Sequence, residues 1–490
     1  MNRIINYDRL TEHGNKEGRR MAAEIIDAGM TAGNPYNNVR QLIRVEGDEL
    51  IFDNPMMVLK GDPKGGEPAV YHLPDIDRIF IFGVGKGMQY NIKAVEEVLG
   101  DRITGGIVLV KHGDEPLLER VEVRFGGHPI PDKAAVDACR EILDMAKAAK
   151  LTEKDLVITA MGSGVGSLCT LPSEGITLEE VEYYNYLCQI DFGMPTLELT
   201  HIRNQVDDIK GGRFTKAMQP ARMVNIVSGA SNLGGRSYDD VVNNNSWIHS
   251  LPDRTTSAYA IETAKKHDVW DKLPESIRDK LLSNDPEGDT LSPEEFAGYD
   301  IRVFCTVPRE LSALYTAMRK AEELGFSAYS MTERTTCEAK DIGRFMGELA
   351  SNCEKRSQPF APPCALFTTG ELITTVRGEA GIGGTNQEYC LAAAEVIAGS
   401  ERIVVAAVDT DGTDGPGGDF HPDATKNGIN VLSGGLVDGY TVMEAKEKKV
   451  DIFDHLKRHD TSSALWELDS GIAAVQNISV GDLHCVLIMD

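Results

Sequence analysis

The feature that most constrains the fold is a recurring order of elements, in which a short apolar run ends in glycine and a helical stretch follows. Residues 78–82 (RIFIF) form such a run, and the glycine-rich residues 83–87 lead into helical spacing from Met88. Residues 156–160 (LVITA) enter a second glycine-rich turn in the same way. Strands that alternate with helices are joined by right-handed crossovers and lie parallel. The sequence therefore predicts the α/β class, with mostly parallel sheets.

The same order restarts in the second half of the chain, after an acidic, proline-containing segment at residues 268–299. Short β-rich runs there predict strands at residues 301–304, 327–330, 364–367, 372–376, 403–408 and 484–488. A chain of 490 residues has room for two or three domains of about 150 residues. We predict two α/β domains, residues 1–285 and 300–490, with the boundary in the acidic segment.

The charge balance excludes some classes of partner. The chain has 50 lysines and arginines against 76 aspartates and glutamates, a formal net charge of −26. Nucleic acids and anionic membranes repel such a surface, so we expect neither as a partner. No apolar run reaches the roughly 20 residues that span a membrane. The nine cysteines include no C-x-x-C pair, which argues against a disulfide framework or a zinc site and favours a cytoplasmic protein.

The first glycine-rich loop, residues 83–87 (GVGKG), has the composition of an anion-binding turn. Gly85 and Gly87 let backbone N–H groups approach a ligand closely, and Lys86 adds a full positive charge. The loop has neither the Walker A spacing nor the dinucleotide fingerprint, because Met88 stands where the third glycine would fall. A plain turn between strand and helix remains the alternative.

The second loop, residues 161–167 (MGSGVGS), offers backbone amides and hydroxyls that suit a phosphate or a carboxylate. Its candidate ligand-binding residues are Gly162, Ser163, Gly164 and Ser167. The spacing does not match the G-x-S-x-G elbow of serine hydrolases, and a tight turn without a ligand remains open. His128 lies in a loop that two prolines stiffen, where it is either a ligand contact or a structural histidine.

The third loop holds Lys210 and Arg213 on either side of two glycines. This pair could bind an anion, with Arg213 bidentate, or it could face the C-terminal end of a helix. The fourth loop, residues 378–388, links a strand to a helix, for which Thr385 or Asn386 is the predicted N-cap.

The fifth loop places Asp409, Asp411 and Asp414 within six residues at the end of a buried strand. Such a group is typical of a Mg²⁺ or substrate-hydroxyl site. An EF-hand is excluded by the spacing, and Asx turns would explain one aspartate more easily than three. No histidine falls at the spacing of metal ligands, so no transition-metal site is expected.

Taken in order, these loops resemble those of the class II glycerate 2-kinase family, whose chains end in a domain of the MOFRL type. The matching stretches are GVGKG (83–87), GGHPIPD (126–132), LPSEGITLEE (171–180), IKGGR (209–213), TGELITTVRGEAGIGG (369–384), NQE (386–388) and TDGTDGP (410–416). The resemblance implies two α/β domains with the active-site cleft between them. It also implies ATP and Mg²⁺ as cofactors and transfer of the γ-phosphoryl group to the 2-hydroxyl of D-glycerate or a related hydroxy acid.

The resemblance assigns roles to individual residues. Lys86 would neutralise a phosphoryl or carboxylate oxygen, and Asp411 and Asp414 would hold Mg²⁺ or orient the acceptor hydroxyl. Glu371 would serve the same site. The implied substrate- or nucleotide-binding residues are Gly85, Gly87, His128, Gly162, Ser163, Gly164, Ser167, Lys210, Arg213, Glu371, Thr385, Asn386 and Gln387.

The chain also departs from the family pattern. The family has arginine before N-Q-E, whereas this chain has Thr385, and a fixed cation at a phosphoryl-transfer centre can contribute ~10³-fold or more in rate. Arg203, Arg213 and Arg377 are candidates to replace that cation. The family's S-D-V-x-G-D, S-G-P-T and T-G-P-T-G-T-N-V segments are changed at residues 228–232, 247–251 and 473–480.

Two further interpretations follow from these departures. One is a divergent member that acts on a different small carboxylate or sugar acid, with or without kinase activity; a reductase ranks low because G-x-G-x-x-G is absent. The other is a metabolite-binding protein. In each case the partners are small molecules, with a homodimer as an option that the sequence does not decide.

Overall fold

A computed structural model describes residues 3–32, 34–128, 130–228, 237–245, 247–283, 290–306, 309–376, 379–476 and 481–490. The chain forms two compact units. The middle unit is Pro35–Pro308, and the terminal unit combines Met1–Asn34 with Arg309–Asp490. Among the described residues, no helix combines the length and the apolar character that crossing a membrane requires.

The described strands are β1 (Ile43–Glu46), β2 (Glu49–Phe52), β3 (Ala69–His72), β4 (Arg78–Val84), β5 (Ile103–Lys111), β6 (Glu122–Gly126), β7 (Asp155–Gly162), β8 (Arg222–Ser228), β9 (Ile301–Cys305), β10 (Ser327–Thr335), β11 (Cys364–Gly370), β12 (Ile403–Asp409), β13 (Gly434–Asp438), β14 (Gly471–Ile472) and β15 (Asp482–Ile488). The described α-helices are α1 (Tyr7–Thr11), α2 (Lys16–Ala32), α3 (Pro35–Leu42), α4 (Met88–Leu99), α5 (Lys133–Ala149), α6 (Val165–Leu168), α7 (Leu178–Tyr186), α8 (Thr196–Gln205), α9 (Arg213–Ala217), α10 (Ser257–Lys266), α11 (Glu275–Ser283), α12 (Pro293–Ala297), α13 (Ala313–Glu323), α14 (Ala339–Arg356), α15 (Thr385–Ile397), α16 (Pro422–Lys426), α17 (Thr441–Lys448), α18 (Ile452–Lys457) and α19 (Thr461–Glu467). Short 3₁₀ or π segments are Pro55–Met57, Leu73–Asp75, Gly100–Arg102, Leu187–Asp191, Asp239–Asn243, Trp270–Lys272 and Arg309–Leu311.

The main sheet of the middle unit has the strand order β6-β5-β4-β7-β8-β9, and its neighbouring strands are all parallel. From β4 the chain adds strands on one side through β6, and from β7 it adds them on the other side. The direction of winding therefore reverses between β4 and β7. In open α/β sheets, ligands bind beyond the carboxyl ends of the strands at such a reversal. A separate antiparallel sheet, β1-β2-β3, belongs to the same unit.

The sheet of the terminal unit has the order β10-β11-β15-β12-β13-β14. Its β10–β11 pair is parallel, whereas β15 runs antiparallel to both β11 and β12 because the last strand of the chain is inserted between them. The β12–β13 and β13–β14 pairs are also antiparallel. The predicted α/β class with two sheet-bearing domains is confirmed, and this second sheet is the mixed one.

The limits of the two units differ from the predicted division into residues 1–285 and 300–490. Helix α2 belongs to the terminal unit, where its apolar side chains share a core with strands β12 and β15. Its Arg19 Nε lies 2.6 Å from Asp438 Oδ2, with both side chains fully buried. A helical pattern shows which face is apolar but not which sheet that face covers, and this explains the difference.

Two predicted elements of the second half are placed differently in the structure. Strand β9, predicted to open the second domain, pairs in parallel with β8 from Met223–Ile301 to Val227–Cys305 and completes the middle unit's sheet. The acidic segment at residues 268–299 consequently lies inside the middle unit. Residues 372–376, predicted as a strand, form only an isolated bridge between Ile373 and Glu338, because the alternation of apolar residues does not supply a partner strand.

Candidate functional site

Two of the glycine-rich loops meet at the carboxyl ends of the neighbouring strands β4 and β7. The backbone N–H of Lys86 donates to the carbonyl oxygen of Ser163 over 2.7 Å, which ties one loop to the other. The meeting point is the place where the strand order reverses, so the loops that sequence composition predicts as anion-binding lie where an α/β sheet binds its ligands.

Gly164, in the second loop, lies close to side chains from two other predicted loops. Its φ is +76°, and a Cβ atom placed on it would lie 2.9 Å from Cγ of Lys86 and 3.0 Å from Cδ2 of His128. The structure therefore brings three of the predicted residues together around one glycine. Lys86 is half-buried and His128 is exposed, and helix α4 begins two residues after Lys86. A lysine two residues before the N-terminus of a 12-residue helix favours a bound anion.

The other predicted residues of these loops serve the turns themselves. A Cβ on Gly85 would lie 2.9 Å from the oxygen of Ser163, and one on Gly162 would overlap the oxygen of Ser228, so both glycines allow backbone segments to approach. Gly87 is the N-cap of α4, and the hydroxyl of the buried Ser167 donates to the oxygen of Gly164 over 3.3 Å. The plain-turn interpretation thus applies to these residues, while Gly164 also lies against the side chains of Lys86 and His128.

Lys210, predicted to bind a ligand, is instead a structural residue. Its side chain is 2% exposed, and its ammonium donates to the carbonyl oxygen of Cys169, to Thr170 Oγ1 over 2.8 Å and to Asp207 Oδ2 over 2.7 Å. An ammonium has three hydrogens, and all three have acceptors within the unit. The pKa of Asp207 is raised because burial outweighs the nearby lysine.

Arg213 faces the end of a helix, as the second interpretation of its loop proposed. Its Nη1 donates to the carbonyl oxygens of Asn204, Asp207 and Lys210 over 2.6, 3.1 and 3.1 Å. Helix α8 ends at Gln205, so the guanidinium caps the Asn204 carbonyl in the last turn of the helix and also binds two carbonyls of the segment that follows. A ligand-binding role for Arg213 is therefore not supported.

Arg203, which we named above only as a candidate to replace the family's arginine, lies close to the second loop. Its side chain is buried in the middle unit, and its Nη1 lies 3.3 Å from the position of a Cβ on Gly166. Arg377, the other candidate, lies outside the described residues, as do residues 229–232 and 477–480 of the segments that depart from the family pattern.

In the terminal unit, Asp414 caps helix α15. Its Oδ1 accepts from Thr385 Oγ1 over 3.2 Å, from Asn386 N over 3.1 Å and from Asn386 Nδ2 over 3.1 Å, and its Oδ2 accepts from Gln387 N over 3.0 Å. The N-cap position is Gly384, so the prediction that Thr385 or Asn386 is the N-cap is wrong. The capping carboxylate comes from a distant loop, which local sequence does not reveal.

Asp409 and Asp411 also stabilise their own loop. Oδ1 of Asp411 accepts from Thr413 N over 2.7 Å and from Thr413 Oγ1 over 2.6 Å, and Oδ1 of Asp409 accepts from Asp411 N over 3.1 Å. Asx turns and a helix cap thus account for bonds at all three aspartates. The described residues contain no group of three or more His, Cys, Asp or Glu side chains arranged to hold a metal ion. Asp414 does not fit the predicted Mg²⁺ site, because its two oxygens already accept four hydrogen bonds. A Mg²⁺-binding role of Asp411 stays a prediction, since Mg²⁺ needs only one or two carboxylates beside the phosphates.

Asn386 joins Asp414 to a carboxylate that the sequence did not single out. Its Nδ2 donates to Oδ1 of Asp482 over 2.6 Å as well as to Asp414, and Leu372 N donates to Asp482 Oδ2 over 2.6 Å. Burial raises the pKa of Asp482 to about 8, and the charges of Asp414 and Glu371 act in the same direction. Asp482 is the first residue of β15, and only the insertion of that strand between β11 and β12 brings it here.

The remaining predicted residues of this unit lie around the same helix end. Gln387 is fully buried, with Nε2 donating to the oxygen of Asp414 over 2.9 Å and Oε1 accepting from Ser462 Oγ over 2.6 Å. Asn386 is equally enclosed, so neither amide presents a ligand-binding surface in this structure. Glu371 is exposed, and its charge acts on Asp482.

A second pair that the sequence did not predict lies one turn into α15. Nδ1 of His459 is 2.6 Å from Oε1 of Glu388, whose side chain is 2% exposed. Burial raises the pKa of Glu388, and the interaction with His459 partly opposes that shift. Glu388 is the last residue of the N-Q-E stretch, so all three members of this stretch make buried contacts.

Comparison with known proteins shows which family models and which relatives the chain matches. Residues 21–282 match the model of a domain of unknown function (DUF4147), and residues 364–478 match the MOFRL family. A glycerate 2-kinase of Pyrococcus horikoshii is 31% identical over 454 residues, which cover 91% of this chain and 92% of the relative. A D-glycerate 2-kinase of Thermotoga maritima is 31% identical over 392 residues, which cover 80% and 86%.

Comparison with solved structures gives the same result as comparison with these relatives. A crystal structure of glycerate kinase from Thermotoga maritima superposes with a TM-score of 0.72 at 28% identity, covering 97% of this chain and all of the other. A crystal structure of a Pyrococcus horikoshii protein gives a TM-score of 0.69 at 26% identity, covering 96% and 98%. On this evidence the chain belongs to the glycerate 2-kinase family.

Proposed function

We propose that this protein is an ATP-dependent kinase that phosphorylates the 2-hydroxyl of D-glycerate. The observation that carries the proposal is the convergence of Lys86 and His128 on Gly164, at the strand reversal of a chain that belongs to the glycerate 2-kinase family. ATP is the donor, and the small hydroxy acid is the acceptor. A cytoplasmic location is part of the proposal, and a sequence whose nine cysteines include no C-x-x-C pair supports it.

Phosphoryl transfer requires that the protein position the two substrates and neutralise the negative charge of the transferred group. Phosphoryl transfer spreads negative charge over the oxygens of the transferred group, so fixed cations and backbone N–H groups lower its barrier. Lys86 supplies such a cation, and the bond from its N–H to Ser163 fixes its backbone relative to the second loop. Asp414 does not fit a Mg²⁺ site, so the proposed neutralisation of charge rests on Lys86 and on the N–H groups of the loops.

The test is a kinase assay with the purified protein, ATP, Mg²⁺ and D-glycerate. We expect ADP to form, and phosphorus NMR should identify 2-phosphoglycerate rather than 3-phosphoglycerate as the product. Lys86→Ala should lower kcat by at least about 100-fold, whereas Lys147→Ala, at an exposed position on α5, should not change it. Absence of ADP above the blank at saturating D-glycerate would refute the proposal.

A second candidate is a kinase of a different hydroxy acid or sugar acid. It is favoured by Thr385, whose hydroxyl donates to Asp414 where the family has a cation. A panel of small hydroxy acids and sugar acids, compared by kcat/KM, separates the two candidates. If none is phosphorylated and ATP does not raise the melting temperature, the non-kinase alternative would replace both.

A further inference from the structure

Arg203 is a buried cation that neutral groups hold in place. It lies near the end of α8 and is 4% exposed. Its Nε donates to Oδ1 of Asn185 over 2.6 Å, and its Nη2 donates to Oε1 of Gln189 over 3.2 Å. Two amide oxygens thus fix the plane of the guanidinium without neutralising it.

The third nitrogen of this guanidinium points at the second glycine-rich loop. Nη1 lies 3.3 Å from the position that a Cβ on Gly166 would occupy. Within the part of the chain that the structure describes, Nη1 has no hydrogen-bond acceptor. Unlike the polar side-chain atoms that are buried without a partner, it is not completely enclosed by protein. An unpartnered nitrogen that is not fully enclosed keeps some exposed surface, and this surface lies next to Gly166.

The electrostatic surroundings of Arg203 favour an anion at this point. Burying a charge without a counter-charge is costly, and burial lowers the pKa of this arginine. The carboxylate that acts on it, Asp207, is hydrogen-bonded to Lys210. Burial, together with the charges of Lys210, Arg203 and Arg213, holds the pKa of the fully buried His249 well below its usual range. A neutral histidine does not offset the positive charge.

We propose that Nη1 of Arg203 binds the carboxylate of the acceptor hydroxy acid, seated against Gly166. The proposal rests on the proposed function. Gly164 and Gly166 are two residues apart at the start of α6, which places their Cα atoms about 5 Å apart. In a 2-hydroxy acid the carboxylate is bonded to the carbon that carries the accepting hydroxyl. A carboxylate held at Gly166 therefore keeps that hydroxyl close to Gly164, where Lys86 and His128 lie.

The experiment separates the KM for D-glycerate from the KM for ATP in two variants. Arg203→Gln removes the cation, and Gly166→Ala places a methyl group 3.3 Å from Nη1, on the ligand's side. We expect each to raise the KM for D-glycerate by about 10- to 100-fold, the effect of one charge-assisted hydrogen bond. The KM for ATP should stay within about twofold of the wild-type value. Arg140→Gln, at an exposed arginine on α5, is the matched control and should change neither constant.

The possible outcomes decide the assignment. A raised KM for ATP with an unchanged KM for D-glycerate would overturn it and place a nucleotide phosphate at Gly166. Unchanged constants in both variants would also overturn it. If Arg203→Gln does not fold by circular dichroism, the constants of Gly166→Ala alone decide the assignment, because its added atom is far smaller than the change at Arg203.

Failure of the proposed function has a different signature, namely no turnover by the wild-type enzyme with D-glycerate. In that case the affinity for D-glycerate, measured by titration calorimetry on wild type, Gly166→Ala and Arg140→Gln, still tests Arg203. Weaker binding in Gly166→Ala alone supports the assignment. Equal affinities, or no binding to the wild type, overturn it.

Discussion

Replacing Asp414 by alanine distinguishes a structural carboxylate from a catalytic one. The family resemblance implies that Asp414 holds Mg²⁺ or orients the acceptor, whereas the structure shows its two oxygens accepting four hydrogen bonds at the start of α15. We expect the variant to lose stability in the terminal unit and to keep most of its turnover per folded molecule.

The size of the loss follows from the bonds that disappear. Two backbone N–H groups, those of Asn386 and Gln387, lose a buried acceptor, and each unmade bond costs about 1–3 kcal/mol. Alanine also removes the cost of burying the carboxylate, which is the main cause of the raised pKa of Asp414. We therefore expect the free energy of unfolding to fall by about 2–4 kcal/mol.

Urea unfolding and hydrogen exchange measure this loss. The midpoint of the transition that includes the terminal unit should fall by about 1 M urea, and mass spectrometry should show faster amide exchange in peptides from Thr385–Ile397. Asp419→Ala, an exposed carboxylate nearby in the sequence, is the control and should change neither. Unchanged stability together with a 100-fold lower kcat would refute the reasoning and restore a catalytic Asp414.

Two further predictions concern pH and the Gly164 contact. Burial raises the pKa of Asp482 to about 8, so the folded state holds this proton more tightly than the unfolded state does. The stabilisation is fully present below the carboxyl's ordinary pKa and is lost as pH rises through about 8. Asp482→Asn should therefore flatten the fall in melting temperature between these two pH values. Glu447→Gln removes an exposed carboxylate of the same unit and should leave that fall unchanged. Gly164→Ala should lower kcat/KM at least about tenfold by displacing Lys86, beyond a strain of about 1–2 kcal/mol at φ +76°. Gly175→Ala has a similar φ of +87° but open space around it, so it should show only the strain, and equal activity of the two variants would contradict the contact.

Local patterns in the sequence predicted most elements of the fold but not their assembly. The run at residues 301–304 is a strand, as predicted, yet its partner is β8. Helix α2 lies within the predicted first domain, residues 1–285, yet it packs in the terminal unit. Apolar periodicity records which face of an element is buried, whereas the partner of that face depends on contacts between residues far apart in the chain.

For the candidate site, the sequence indicated loops more reliably than side-chain roles. It placed Lys86, His128 and Gly164 in three separate motifs, and these lie together. It assigned Lys210 to a ligand because the residue type allows it, although the burial that excludes this role is visible only in three dimensions. Asp482 carried no motif, because a single aspartate before a strand is a common feature of any sequence.

The replacement of the family arginine by Thr385 has a physical consequence within the terminal unit. The threonine hydroxyl adds one more donor to Oδ1 of Asp414 and thus joins the cap of α15, but it brings no positive charge. Hydrogen bonds from Asn386 and Gln387 therefore have to compensate for the burial of that carboxylate, and they do so incompletely, since its pKa remains raised. A kinase built on this chain must then neutralise the transferred phosphoryl group with cations from elsewhere. In the middle unit, Lys86 approaches Gly164 of the second glycine-rich loop, so the requirement for a cation at the phosphoryl group is best tested at Lys86. The nitrogen that Arg203 points at the same loop is the one that we assign to the acceptor's carboxylate.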